Sequence, residues 1–124
     1  MKTTEQLIAQ KAWDHIHSIL NNRGKVSKEF VSAANGAASL ILSVGLGQAV
    51  AFWMAKGKEG LTVANFLANH LLNRDKAGAD DLMKEIMAKD SYDYRLLLRD
   101  ALSYLNWLKR FAKAKEDKSD VWKT

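Results

Sequence analysis

The stretch "SLILSVGLGQAVAFWMAK", residues 39–56, decides the fold, because it admits three incompatible readings. It lies within a run of sequence, residues 30–55, that contains no charged side chain. It is long enough to cross a hydrocarbon core, for which about 20 residues suffice. It also carries a glycine pair of the kind found in dinucleotide-binding turns, and it has the small residues of a helix that other helices approach closely.

The membrane reading fails on polarity. Asn35, Ser39, Ser43 and Gln48 stand inside the run, and such groups are costly in lipid without partners. The flanking sequence is that of an ordinary amphipathic protein. The dinucleotide reading fails on pattern. After Gly45 and Gly47 the third small position is occupied by Val50, and no acidic residue stands about 20 positions on to hold a ribose. What remains is a packing segment. Ser39, Ser43, Gly47, Ala51 and Ala55 recur every four residues, which on a continuous helix would form a small-residue stripe. If Gly45 and Gly47 break the helix instead, those residues sit at a corner where two helices fold back. Ser39, Ser43, Gly45, Gly47 and Ala51 are therefore the candidate packing and interface positions.

Working outward, the chain reads as helices throughout. Thr3 with Gln6 makes a capping box, and Ile8, Ala12, Ile16 and Ile19 recur at helical spacing as far as Asn21-Asn22-Arg23-Gly24. Ser27 caps a second helix with Glu29 in its first turn. Two helices are expected between Ser27 and the glycines at 57 and 60, with the break near Gly45 and Gly47. Thr62 starts another, with Phe66, Leu67, His70 and Leu71 on its inner side, ending within 73–78. A short helix is expected over 80–88 and a long one from Ser91 to about Lys115. The expected fold is therefore all-α, a compact bundle of five to six helices with a long carboxy-terminal helix. Residues 1–115 are expected to form one domain and 116–124 a charged, flexible tail, in which Trp122 is a candidate partner anchor.

Composition agrees. The chain has 124 residues and no proline, where average usage predicts about 6. It has no cysteine, which removes disulfides, thiolate metal sites and a cysteine nucleophile. The first residues, MKTTEQLIAQKAW, carry no signal-type apolar region, so a cytoplasmic location is expected. The formal net charge is +5. Residues 95–118 hold seven basic and three acidic residues, so +4 of that excess lies in the final helix and its end.

On a wheel of 100° per residue, Tyr94, Leu97, Leu98, Ala101, Tyr104, Leu105, Leu108, Phe111 and Ala112 fill one arc of that helix. Arg95, Arg99, Asn106, Lys109, Arg110 and Lys113 fill the opposite one. A stripe of this length, about 25 Å, spans several phosphates of a nucleic-acid strand.

No catalytic constellation is present. His15 and His17 are two apart and point to different sides of a helix, whereas helical metal pairs stand three or four apart. Asp14 with His17 has the spacing without further ligands. His70 reads as a partly buried, satisfied histidine. Asp80, Asp81 and Glu85 suit a helix amino terminus. No phosphate loop, nucleophile elbow or zinc signature occurs, so no metal, cofactor or enzymatic activity is expected. A helix-turn-helix reader at 62–73 would have no basic residue in its reading helix, TVANFLANHLLN.

Two segments together, "SLILSVGLGQAVAFWMAK" and "YRLLLRDALSYLNWLKRFAKAK", resemble the small all-helical subunit of the Cmr-type (type III-B) CRISPR RNA-guided effector complex. The resemblance rests on the Gly-Leu-x-x-Ala motif at 45–49, the loop with Lys56, and the "YLxWLKRFA" run at 104–112. Val44 departs from it, standing where the family more often has a polar residue. The resemblance implies a non-catalytic subunit of a ribonucleoprotein that silences invader RNA. Such a subunit stacks in several copies beside nuclease-bearing backbone subunits, touches the large polymerase-like subunit, and helps hold guide and target RNA. Under that reading Arg95, Arg99, Lys109, Arg110 and Lys113, with Lys56 nearby, line an RNA groove. The rival is a protein-protein adaptor without RNA contact.

Overall fold

A computed structural model describes residues 2–118. Six helices follow one another: α1 (Thr4–His17), α2 (Lys28–Val44), α3 (Leu46–Lys56), α4 (Lys58–Leu72), α5 (Ala79–Ala88) and α6 (Ser91–Ala114). The described residues contain no β-strand, only one isolated parallel bridge between Val26 and Glu116. The fold is the all-α bundle with a long last helix.

Several helix starts are the expected ones. The Gln6 N–H donates to Thr3 Oγ1 at 3.1 Å while the Thr3 N–H donates to Gln6 Oε1 at 2.8 Å, closing the capping box. Ser27 Oγ accepts from the Phe30 N–H at 3.2 Å, and Asp90 Oδ1 accepts from Asp93 N–H at 2.9 Å. At α5 the Asp81 carboxylate accepts from the Gly78 N–H at 3.0 Å and so caps the helix start.

The apolar segment breaks where its glycines predict. Gly45 has φ 90°, a conformation that side-chain-bearing residues rarely adopt, and it ends α2 and begins α3. Gly57 does the same between α3 and α4 at φ 121°. Two boundaries differ from expectation. Helix α1 ends at His17, one turn before the Asn-Asn-Arg-Gly signal, because Ser18 Oγ bonds back to the His15 carbonyl at 2.6 Å and its own N–H to Asp14 and His15. Helix α4 starts at Lys58, so Thr62 lies inside it with its hydroxyl on the Lys58 carbonyl. Gly60, expected as a stop, is helical and buried. Its missing side chain permits close approach, since a Cβ there would lie 2.8 Å from the Trp53 carbonyl oxygen.

Helix α6 is the spine. At about 1.5 Å per residue its 24 residues span roughly 36 Å. It packs against α1, α2 and α4, while α3 and α5 pack against each other and against α4. Its arc of Ala101, Tyr104, Leu105, Leu108 and Ala112 is buried, joined in the core by Ile16, Ile41, Leu46, Val63, Leu67 and Leu82. Helices α2 and α6 run antiparallel, for Tyr94 reaches Leu46 at one end and Lys115 reaches Val26 at the other.

That second contact bears on the expected tail. The Val26 N–H donates to the Lys115 carbonyl and the Asp117 N–H to the Val26 carbonyl, both at 2.8 Å. Asp117 also takes the Arg23 guanidinium and the Asn21 side-chain amide. Glu116 and Asp117 are thus fastened to the α1–α2 connection. Trp122 lies outside the described residues. Among those residues, no helix is long and apolar enough to cross a membrane.

Candidate nucleic-acid interface

The cations of α6 stand together as the wheel requires. Arg95, Arg99, Lys109, Arg110 and Lys113 fall within about 100° of arc. Arg95, Arg99, Arg110 and Lys113 are exposed and Lys109 is half-buried. No carboxylate among the described residues pairs with Arg95, Arg99, Lys109 or Arg110, whereas Lys113 bonds Glu116 at 3.0 Å. A helix face with four unneutralised cations is suited to a polyanion, because each phosphate it takes up displaces condensed counterions.

Lys56 is placed elsewhere. It ends α3, its ammonium lies 5.6 Å from the Phe52 ring centre, and it lines a recess of about 600 Å³ between α2, α3 and α4 whose walls include no α6 residue. The small-residue positions also separate. A Cβ on Gly45 would meet the Tyr94 hydroxyl at 3.8 Å and one on Gly47 would meet Ile86 at 3.6 Å, so these two lie at helix contacts. Ser39, Ser43 and Ala51 are exposed. The break at Gly45 turns α3 away from α2, so the every-fourth pattern does not form one stripe.

Beside the cations runs an aromatic ridge that spacing on one helix does not reveal, since half of it comes from α1. Trp13 meets Phe111 edge-on at 5.1 Å, Phe111 meets Trp107 at 5.4 Å, and His17 lies 4.2 Å from Trp13. The Lys115 ammonium stands 5.7 Å from the Trp13 ring centre. The Trp107 indole N–H donates to the Glu5 carboxylate at 2.6 Å.

On the inner side of α6 the histidines converge with Tyr104. His15 Nδ1 is 2.5 Å from the Tyr104 hydroxyl and the His15 ring stacks on Phe66. His70 stacks on Tyr104 at 4.7 Å and its Nε2 meets the Asp100 carboxylate at 2.8 Å. Burial pulls the His15 imidazole down from 6.5 to about 4, with His70 and Lys11 pushing the same way. Burial likewise raises the Tyr104 phenol well above its ordinary value. A neutral imidazole and an un-ionised phenol make this a structural hydrogen bond between α1 and α6. His17 bonds the Trp13 carbonyl through Nδ1, and Asp14 accepts from the Gln10 amide. No cluster of three or more potential metal ligands occurs among the described residues.

Fold and surface together define a small all-helical bundle with one basic helix face. Residues 4–115 match the model of the family described as CRISPR-associated protein (Cas_Cmr5). The chain is 32% identical over 115 residues to the CRISPR system Cmr subunit Cmr5 of Thermus thermophilus, covering 92% of this chain and 96% of that one. It is also similar to the X-ray crystal structure of a CRISPR-associated Cmr5 family protein from the same organism. There the TM-score is 0.81 at 28% identity, covering 94% of this chain and all of the other. The chain belongs to the Cas_Cmr5 family.

Proposed function

We propose that this protein is a non-catalytic structural subunit of a Cmr-type CRISPR ribonucleoprotein in the cytoplasm, and that it helps hold guide and target RNA through the outer face of α6. Its partners in that assembly are the repeated nuclease-bearing backbone subunit, the large polymerase-like subunit and further copies of itself. The observation that carries the RNA role is the row of Arg95, Arg99, Lys109 and Arg110, without carboxylate partners among the described residues on the longest helix of the fold. Contacts of this kind take phosphates and do not read base edges. The cleavage chemistry is assigned to other subunits.

The test is a combined Arg95→Ala, Arg99→Ala, Arg110→Ala variant. Losing three phosphate contacts on a single strand lowers the slope of log affinity against log salt by about 2. An unchanged slope assigns the stripe no RNA role.

A second reading, a protein-protein adaptor without RNA contact, is favoured by the apolar surface around the meeting point of the α2–α3 and α5–α6 connections. Leu42, Val44, Met87 and Tyr92 are exposed there, Leu42 at 73% and Met87 at 72%. These side chains suit contacts with neighbouring subunits and are compatible with the RNA role on α6. Native mass spectrometry of the assembly showing no RNA selects the adaptor alone.

A further inference from the structure

The aromatic ridge borders a recess of about 390 Å³ lined by Lys2, Gln6, Ala9, Gln10, Trp13 and Phe111. That volume falls within the about 300–1,000 Å³ typical of small-ligand sites. Its hard wall is the edge-to-face pair of Trp13 and Phe111, with Trp13 39% exposed. Its polar lining is already half committed. Gln6 spends its amide oxygen on the Thr3 N–H and keeps its NH2, while Gln10 gives its NH2 to Asp14 and keeps its oxygen. One donor and one acceptor therefore remain uncommitted on a lining shared with the Trp13 and Phe111 rings.

Charge orients what such a recess can take. On the wheel Trp107 lies 60° and Phe111 100° round from Arg110, so the ridge is the immediate neighbour of the cationic stripe. Lys115 stands over Trp13 and Lys2 lines the recess. Of the nearby acids, Glu116 is paired with the Lys113 ammonium, while Glu5 and Asp14 accept from the neutral Trp107 indole and Gln10 amide and keep their charge. An anionic backbone beside a flat apolar ring with polar edges is the chemistry of an unpaired nucleotide, and aromatic rings next to basic grooves hold single strands by stacking.

We propose that the Trp13–Phe111 recess holds an unpaired base of a single RNA strand whose phosphates follow the α6 cations. This rests on the RNA reading of that stripe and adds to it a preference for single-stranded over paired RNA. Duplex bases are already stacked on each other and have no free face for Trp13.

The full-length protein is titrated with a labelled single-stranded RNA of about 12 nucleotides, within the range of single-strand site sizes. It is also titrated with an abasic ribose-phosphate strand of equal length and charge. The base-bearing strand binds about tenfold or more tightly. Trp13→Ala removes that difference and Trp13→Phe keeps most of it. The Arg95, Arg99, Arg110 alanine variant weakens both strands while preserving their ratio.

Equal affinities for the two strands in the unmodified protein, with salt-dependent binding intact, overturn the stacking site and leave the RNA role standing. Salt-independent or absent binding of both strands overturns the RNA role and the site with it. If Trp13→Ala weakens capture of the other Cmr subunits and leaves the strand ratio intact, the ridge is a protein contact and the proposal fails. The strand comparison needs no substitution, so a variant that misfolds does not shield it.

Discussion

The His15 imidazole and the Tyr104 hydroxyl meet at 2.5 Å and join the first helix to the last across 89 residues of chain. His15 is held down to about 4 by burial first, then by His70 and Lys11, against an unfolded value near 6.5. Between those values the unfolded chain binds the proton and the folded chain refuses it. The stabilisation is therefore complete above about pH 6.5 and is lost as pH falls towards 4. Thermal melts from pH 7 to 4.5 show a falling midpoint, and His15→Gln flattens that fall. An identical slope in the variant would show that His15 does not govern the acid response.

The ion pair of Lys113 with Glu116 makes the stripe uneven. On the proposed RNA role, Glu116→Gln frees Lys113 and removes a negative charge, so it strengthens RNA binding at low salt by up to about threefold. Lys113→Ala weakens binding less than Arg99→Ala does. Titrations of the three variants with the same single strand at two salt concentrations check both orderings.

Gly60 and Gly36 predict opposite outcomes for one substitution. A Cβ at Gly60 meets backbone at 2.8 Å, so Gly60→Ala forces α3 and α4 apart and costs about 1–3 kcal/mol. At Gly36, within α2, a Cβ meets nothing within 4 Å, and Gly36→Ala stabilises by about 0.4–1 kcal/mol. Urea unfolding of both variants measures the signs. A destabilised Gly36→Ala would mean that the α2 face is occupied.

Helix α3 begins without a capping side chain of its own, and the Tyr94 hydroxyl accepts from the Leu46 N–H at 3.1 Å in its place. Tyr94→Phe orphans a buried donor and costs about 1–2 kcal/mol with little change in volume. Amide exchange at Leu46 accelerates in that variant if the contact is the cap.

These residues also show what a sequence can and cannot disclose. The Thr3–Gln6 box, the Ser27 cap and the Gly45 break are local chemistry, and each is legible. So is the two-sided character of α6, because helical periodicity alone separates Arg95 from Leu105. Legibility ends where a feature is assembled from distant segments. Tyr94 capping α3, His15 finding Tyr104, and Trp13 completing the Phe111–Trp107 ridge all depend on which helices become neighbours. Thr62 misleads for a related reason. It has the chemistry of a cap, yet the chain re-enters helix directly after Gly57 and the hydroxyl turns back to Lys58. The family resemblance groups Lys56 with the α6 cations, and the fold sets it on another face.

The pairing of Val26 with Lys115 and Asp117 closes a circuit of some ninety residues with two backbone hydrogen bonds. Holding the ends of a loop of that length together is entropically costly by itself, and here the antiparallel packing of α2 and α6 already brings them into register. Once shut, it suppresses fraying of the carboxyl end of α6. A helix end that would otherwise be the first to unwind is tied down by the neighbouring connection, and the spacing of the charges along its final turns is held with it.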